Sequence, residues 1–194
     1  AMTGVVAVSV GCHLPGFRSA RRESAVEHDR PISGRQVADV QLSLARTLER
    51  RGEIEPALNA YRQAVETDPR RATGYWRMAI IQDRKGNTAE SEVHYQQALK
   101  LDPKNPDLLC DYGYSLYLQR RWAESEEYLS RTLRLKPQHS RAHNNLGLLL
   151  AQAERADDAL TEFRKAGCDL AEARCNLALV MLLNRRFDEA RQNY

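Results

Sequence analysis

The chain repeats one pattern of large and small side chains about every 34 residues, and few folds accept such a period. The repeating units span residues 38–71, 72–105, 106–139, 140–170 and 171–194. When each unit is numbered from its first residue, place 8 is always small and place 24 is bulky. The residues at place 8 are Ala45, Ala79, Gly113, Gly147 and Ala178, and those at place 24 are Tyr61, Tyr95, Leu129, Phe163 and Tyr194.

The spacing of these places predicts two helices per unit. Places 4, 7, 8 and 11 fall on one face of a first helix, and places 20, 24 and 27 on one face of a second. Gly52 and Gly86 stand between the helices, where a helix end favours a residue that tolerates left-handed geometry. Each pair has an apolar face that it cannot bury alone, so consecutive pairs must stack. We therefore expect an all-α superhelix of four and a half to five helix-turn-helix repeats.

Two stretches carry this pattern most fully: WRMAIIQDRKGNTAESEVHYQQALKLDP at 76–103 and YGYSLYLQRRWAESEEYLSRTLRLKP at 112–137. In them the chain resembles the tetratricopeptide repeat (TPR) family, and the resemblance extends over residues 38–194. It implies a right-handed α-α superhelix that binds other proteins. More weakly, the chain is similar to TPR lipoproteins of bacterial pilus assembly and secretion machinery, which share a Gly-Cys leader, the phrase NNLGLLLA and a shortened unit before NLAL.

The first 37 residues lack the repeat. Residues 1–17 form an apolar leader that contains VVAVSVGC, and residues 18–37 are rich in charge, which predicts a flexible linker. The leader resembles the cleavage box of bacterial lipoproteins, in which Cys12 would be lipidated. The alternative is a leader with an incidental cysteine, which the short apolar run and the absence of preceding basic residues favour. The first interpretation places the protein at the bacterial envelope, the second in the cytoplasm, and we take the cytoplasm as the working expectation.

Composition excludes several functions. The net charge is +3, and pairs such as Arg70-Arg71 and Arg120-Arg121 recur at helix ends rather than forming one basic stripe, so we expect no nucleic-acid partner. No catalytic or phosphate-binding motif occurs, so we expect neither enzymatic activity nor a cofactor. His139 and His143 have a spacing that can hold zinc on a helix, but they straddle a turn where Ser140 is the expected cap, and no metal site is expected.

The cysteines show no metal-ligand spacing. We expect reduced thiols at Cys110 and Cys175, and a bridge between Cys168 and Cys175 remains an alternative.

The family resemblance implies that first helices line a concave groove through places 2, 5, 6, 9, 12 and 13. The groove residues in this chain are Trp76, Arg77, Ile80, Arg84, Asp107, Asp111, Tyr114, Tyr117, Leu118, Arg141, Asn144, Asn145, Leu148, Asn176 and Leu179. Trp76, Tyr114 and Tyr117 supply rigid aromatic area of the kind that anchors interfaces, or else they pack between units. Asp111, Asn145 and Asn176 share place 6, and their polar groups either meet a bound backbone or bond locally between helices.

These features predict an adaptor that binds a polypeptide segment in the groove. The alternative is the regulatory arm of a larger enzyme or sensor, because the fifth unit ends at Tyr194 before its second helix is complete and we expect the natural chain to continue. Self-association through that open unit is a further alternative. Contact with a membrane is expected only through a lipid on Cys12.

Overall fold

A computed structural model of the protein describes residues 32–193, and all regular structure in this range is helical. The leader, Cys12 and residues 18–31 of the expected linker lie outside the described residues. The helices are α1 (Gly34–Arg50), α2 (Ile54–Thr67), α3 (Ala72–Arg84), α4 (Thr88–Leu101), α5 (Pro106–Leu118), α6 (Trp122–Leu135), α7 (Ser140–Gln152), α8 (Ala156–Lys165), α9 (Leu170–Leu183) and α10 (Phe187–Asn193).

The helices pack as successive pairs. Each odd-numbered helix packs most extensively against the even-numbered helix that follows it, and each pair also contacts the next. First helices of neighbouring pairs meet directly, as α5 does with α7 and α7 with α9. The predicted all-α, right-handed superhelix of stacked helix pairs is confirmed. Within residues 32–193, none of the helices is both long and apolar enough to cross a bilayer.

The interior is built where the repeat pattern predicts it. Tyr61, Tyr95, Leu129 and Phe163, all at place 24, are almost completely buried. A bulky residue at place 24 fits because place 8 of the same unit is small. A Cβ atom added to Gly147 would lie 2.6 Å from the ring of Phe163, too close for any side chain to fit without a shift. The alternation of small and large residues therefore sets the distance between the two helices of each pair.

Helix α1 begins four residues before the expected start of the array. Ser33 caps it: the Ser33 hydroxyl accepts from the backbone N–H of Gln36, and the Gln36 side chain accepts from the backbone N–H of Ser33 at 2.9 Å. This capping box satisfies two backbone donors that helix ends otherwise leave without partners. Residues 34–37 are therefore helical, and the expected linker boundary at residue 37 is wrong.

The turn within each pair uses left-handed backbone geometry. Gly52 and Gly86 both have φ of +79°, as their position in the sequence predicts. The same turn in the later units carries Arg120, Glu154 and Arg185, each with φ of +61°. Left-handed backbone geometry costs an L-residue about 1–2 kcal/mol relative to right-handed geometry, and glycine avoids this cost. The later turns are therefore strained where the first two are not.

We expect Arg120→Gly to raise the free energy of unfolding by about 0.5–1 kcal/mol, because relief of the strain exceeds the extra chain entropy of glycine. Arg120 is exposed and suits the test, whereas Glu154 also pairs with Arg186 at 3.5 Å. Urea unfolding followed by circular dichroism measures the change. The reciprocal control, Gly86→Ala, places its methyl group in open space and is expected to destabilise by a similar amount. Equal stability of wild type and Arg120→Gly would contradict the strain.

The shortened fourth unit ends in a glycine turn that leads directly into the next helix. Helix α8 stops at Lys165, and Gly167 adopts φ of +106°. Asp169 then caps α9 by accepting from the backbone N–H of Glu172 at 2.8 Å. The chain thus passes from one unit to the next without the proline that ends earlier second helices.

The arginine pairs at the helix ends are only partly exposed to solvent. The second arginine of three pairs is largely covered and forms ion pairs. Arg71 contacts Asp39 at 2.8 Å, and Arg121 contacts Glu92 of the preceding unit at 2.8 Å. The ion pairs of Arg121 and Arg186 join neighbouring units and so stabilise their stacking, whereas Arg71 ties the end of the first unit to its own first helix.

Candidate functional site

Two cavities open side by side on the part of the groove built by α1, α3 and α5. We call the larger one, of about 770 Å³, the N-terminal recess, and the smaller one, of about 310 Å³, the central pocket. The charged and aromatic residues that line the N-terminal recess are Arg46, Glu49, Arg50, Trp76, Arg77 and Arg84. The groove residues that line the central pocket include Ile80, Asp111, Tyr114, Leu118 and Arg141. Arg77 and Arg84 line both cavities, so the two adjoin.

A buried ion pair joins three helices at the floor of the N-terminal recess. The Glu49 side chain on α1 is only 7% exposed. The Arg77 guanidinium on α3 donates to both of its oxygens, and the Tyr61 hydroxyl on α2 donates to Oε2 at 2.9 Å. Burial, reinforced by the nearby Glu49 carboxylate, raises the pKa of Tyr61 to about 12. The tyrosine therefore stays a neutral donor throughout the physiological range.

A second polar cluster borders the central pocket. The Arg141 guanidinium donates to Asp111 at 2.5 Å and to Asp107 at 2.7 Å, and the Trp76 indole N–H donates to Asp111 at 3.1 Å. Burial raises the pKa of Asp111 despite the opposing effect of Arg141. For the more exposed Asp107, the bonds from Arg141 and His139 outweigh burial and lower the pKa. The cluster fixes the orientation of Trp76 and Arg141 across units.

The aromatic residues of the groove form a partly exposed strip. The rings of Tyr114 and Tyr117 stack with centroids 6.0 Å apart, and Trp122 lies 5.3 Å beyond Tyr117. Tyr114 remains 39% exposed and Leu118 57%. These residues pack on each other within the third unit and still present apolar surface to solvent.

The asparagines at place 6 have weak local partners. Asn145 donates to the sulfur of Cys110 at 3.6 Å, and Asn176 donates to that of Cys168 at 3.8 Å. Cys110 is buried and Cys175 is exposed, and both are free thiols, as is Cys168. A thiol is a weak acceptor, so these amides keep most of their capacity to bond to another group.

The two histidines that the sequence raised as metal ligands are occupied by protein groups. His139, rather than Ser140, caps α7, because its Nδ1 accepts from the backbone N–H of Ala142. Its Nε2–H therefore donates to Asp107 at 3.0 Å. Over the described range, 32–193, no group of three or more His, Cys, Asp or Glu side chains is placed to hold a metal ion.

His143 joins the two helices of the fourth unit through Glu162, and it contacts the third unit through Pro137. The ring nitrogens of His143 lie 2.6 Å from the Glu162 carboxylate and 2.8 Å from the carbonyl oxygen of Pro137. Lys165 donates to the same carboxylate at 2.7 Å. Burial opposes ionisation of Glu162, but the bonds from Lys165 and His143 outweigh it and lower the pKa.

We expect Glu162→Gln to lower the free energy of unfolding by about 2 kcal/mol at pH 7, since it weakens two charge-assisted hydrogen bonds. Because the folded-state pKa of Glu162 is lowered, its contribution is present above about pH 4.3, the pKa of an unfolded-state glutamate, and is lost as the pH falls further. Urea unfolding at several pH values measures the difference. The exposed Glu127→Gln is the control, and a pH-independent difference for Glu162→Gln would contradict the assignment.

The expected groove residues are not gathered at one place. The structure brings Arg77, Ile80, Arg84, Asp111, Tyr114, Leu118 and Arg141 together around the central pocket. Asn144, Asn145, Leu148, Asn176 and Leu179 line neither of the two cavities. Arg46, Arg50 and Trp122 were not among the residues expected from the sequence. Arg46 and Arg50 occupy places 9 and 13 of the first unit, so the same rule applied to that unit identifies them.

The family model described as Tetratricopeptide repeat matches residues 42–106 and 110–169. The type IV pilus assembly protein PilF of Pseudomonas aeruginosa is 27% identical over 186 residues, which cover 93% of this chain and 73% of PilF. A solved structure from the functional characterisation of P. aeruginosa pilF superposes with a TM-score of 0.68 at 28% identity, over 84% of this chain and 76% of that one.

Two further structures are similar. YrrB, described as a TPR protein with an unusual peptide-binding site, is 25% identical with a TM-score of 0.61, over 79% of this chain and 80% of its own. PilW, a widely conserved type IV pilus biogenesis factor, shares the fold with a TM-score of 0.69 at 21% identity, over 82% and 76% of the two chains. Because the family model covers most of the chain, from the first repeat into the turn before α9, the chain belongs to the tetratricopeptide repeat family.

Proposed function

We propose that this protein is a scaffold that binds an extended segment of a partner protein in the groove, at the assembly site of a type IV pilus or a related envelope machine. The observation that carries the proposal is the exposed apolar surface of Tyr114 and Leu118 beside the central pocket. Tyrosine is enriched among the residues that supply most of the affinity of protein interfaces, and an apolar side chain beside it at the edge of a concave pocket adds area that a ligand can bury.

Polar groups in the groove support an extended ligand rather than a folded one. The amides of Asn145 and Asn176 can donate hydrogen bonds to a peptide backbone and accept them from it, whatever the side chains of the peptide are. Because the groups follow one another along successive first helices, a ligand that bonds to both must run along the groove. Backbone contacts would then hold the segment, and the central pocket would select its side chain.

The relatives support the pilus setting. The similarity to PilF extends over nearly the whole chain, and PilF is a type IV pilus assembly protein. YrrB, also a TPR protein, has a peptide-binding site. A bacterial assembly factor that holds one component in place while others join it needs no catalytic group, and a groove of this kind is sufficient for that task.

Selection from a random 12-residue peptide library tests the groove. We expect Tyr114→Ala/Leu118→Ala to weaken binding of the selected peptides about ten-fold or more, because truncation of two interface anchors costs more than ~1 kcal/mol each. Fluorescence polarisation measures the affinities. The matched control, Val93→Ala/Leu135→Ala, removes exposed apolar side chains from the second helices α4 and α6 and should leave affinity unchanged. Equal affinity for wild type and Tyr114→Ala/Leu118→Ala would refute binding at the central pocket.

The pilus setting has its own test. Deletion of the gene from its source bacterium should reduce the number of surface pili seen by electron microscopy, and the wild-type gene should restore it. The Tyr114→Ala/Leu118→Ala variant, expressed at the same level, should restore few pili. Normal pili in the deletion strain would refute a role in pilus assembly, but they would not contradict peptide binding in the groove.

A further inference from the structure

The N-terminal recess has a marked excess of positive charge. Arg46, Arg50, Arg77 and Arg84 line it, and Glu49 is the acidic residue among its lining groups. Glu49 already has a partner, because Arg77 donates to both of its carboxylate oxygens. After this neutralisation, three guanidinium groups remain around a single recess.

These three arginines are available to a ligand. Arg46, Arg50 and Arg84 are all exposed, and the Arg84 guanidinium lies 3.7 Å from Glu49, at the edge of ion-pair distance. Within residues 32–193, no carboxylate lies within 4.0 Å of the guanidinium of Arg46 or Arg50. Like charges held close together repel one another, and a bound carboxylate would relieve the repulsion and could accept two hydrogen bonds from one guanidinium fork.

The surface next to the recess is of a different kind. Beyond Arg77 and Arg84, the central pocket presents Ile80, Tyr114 and Leu118. Its further charged residues are Asp83 and the ion-paired Asp111 and Arg141, so the groove changes from strongly basic to a mixture of apolar and charge-balanced groups over the distance between neighbouring first helices. A ligand that crosses both cavities would meet cations first and apolar side chains second.

We infer that the N-terminal recess binds the carboxylates of an acidic stretch in the partner protein, next to an apolar side chain that occupies the central pocket. This inference rests on the proposed function and specifies its ligand. Asp or Glu side chains of the partner pair with Arg46, Arg50 and Arg84, while the adjacent Leu or aromatic residue packs on Tyr114 and Leu118. Electrostatic attraction speeds the encounter, and the apolar contact retains the segment.

Nucleic acid fits the recess less well than an acidic peptide. A phosphate backbone carries a charge at every nucleotide and needs cations along its whole path. Here the excess of positive charge lies in the N-terminal recess, whereas Arg141 at the next cavity is balanced by Asp107 and Asp111. The net charge of the whole chain is only +3. A short run of carboxylates followed by an apolar residue matches this distribution.

The library selection is repeated with Arg46→Gln/Arg84→Gln, which keeps Arg77 and its bond to Glu49. On wild type we expect Asp and Glu to be enriched roughly two-fold over the starting library, beside Leu, Phe and Tyr. On the variant the acidic enrichment should disappear and the apolar enrichment remain. The best acidic peptide should bind the variant about ten-fold more weakly and lose affinity on wild type as salt rises.

A matched control removes the same charge elsewhere. Arg134 and Arg164 are exposed on the second helices α6 and α8, and Arg134→Gln/Arg164→Gln should behave as wild type. Groove-binding peptides without acidic enrichment would overturn this inference and leave the proposed function intact. Failure to select any peptide that depends on Tyr114 and Leu118 would overturn both. A 12-nucleotide single strand that binds wild type more tightly than the acidic peptide, and loses affinity with Arg46→Gln/Arg84→Gln, would also overturn it.

Discussion

Replacing Phe163 by alanine is expected to lower the free energy of unfolding by about 4 kcal/mol, the middle of the range for a buried aromatic side chain. Phe163 on α8 is fully buried and belongs to a cluster with Leu177 and Met181 of α9. Its ring occupies the space that Gly147 leaves open on α7. Loss of the ring therefore leaves a cavity where the fourth and fifth units meet, and neither helix pair can close it without moving.

Urea unfolding gives the total change, and amide hydrogen exchange locates it. Because each unit contacts only its neighbours, exchange should accelerate in α7 to α10 far more than in α1 to α4. The control is Phe187→Ala, which removes the same ring from α10 where it is 62% exposed, and it should cost less than about 1 kcal/mol. Similar losses for the two variants, or uniform acceleration of exchange, would contradict a shared interior built unit by unit.

A second large loss of stability is expected when the buried ion pair at the floor of the N-terminal recess is broken. Arg77→Met should destabilise the protein by about 3 kcal/mol, because it leaves the Glu49 carboxylate buried without its main partner. The Tyr61 hydroxyl still donates to Glu49, but one hydrogen bond from a neutral group is weaker than the two charge-assisted bonds from a guanidinium. Thermal and urea unfolding of the single variants and the double variant measure the coupling between the two charges.

The double variant Glu49→Gln/Arg77→Met separates a buried charge from a lost contact. It removes the uncompensated carboxylate, so it should recover more than half of the stability that Arg77→Met loses. An equal loss in the single and double variants would mean that Arg77 stabilises the fold through packing alone. Arg70→Met, which removes an arginine that is 84% exposed, is the control and should change stability by less than about 1 kcal/mol.

The repeat pattern predicts the fold well because it specifies contacts between residues that are close in the sequence. A small residue at place 8 and a bulky one at place 24 interact within one helix pair, so their spacing in the sequence determines their contact. Phe163 and Gly147 can be matched in this way from the sequence alone. The glycines at 52 and 86 mark their turns for the same reason. Left-handed backbone at Arg120 can be inferred only from the period, since arginine itself gives no such signal.

The polar contacts of the groove could not be predicted, because they depend on how units curve against one another. Glu49 and Arg77 lie 28 residues apart, and Asp107 and His139 lie 32 apart. Their approach is set by the stacking angle, which no local pattern specifies. The same limit explains the misassigned cap of α7, where Ser140 has the better local propensity. His139 takes the position because Asp107, near the start of the same unit, holds its ring.

The most direct test of a guest segment in the groove is site-specific photo-crosslinking in living cells of the source organism. A photoreactive phenylalanine analogue is placed at Leu118, which is 57% exposed in the groove, or at Leu135, which is 46% exposed on α6. Mass spectrometry of the adducts identifies the partner residues that are bound. A groove that holds a guest segment predicts adducts from position 118 that map to one short stretch of one partner protein, and few from position 135. Adducts from position 135 alone, or adducts from position 118 scattered over many proteins, would contradict it.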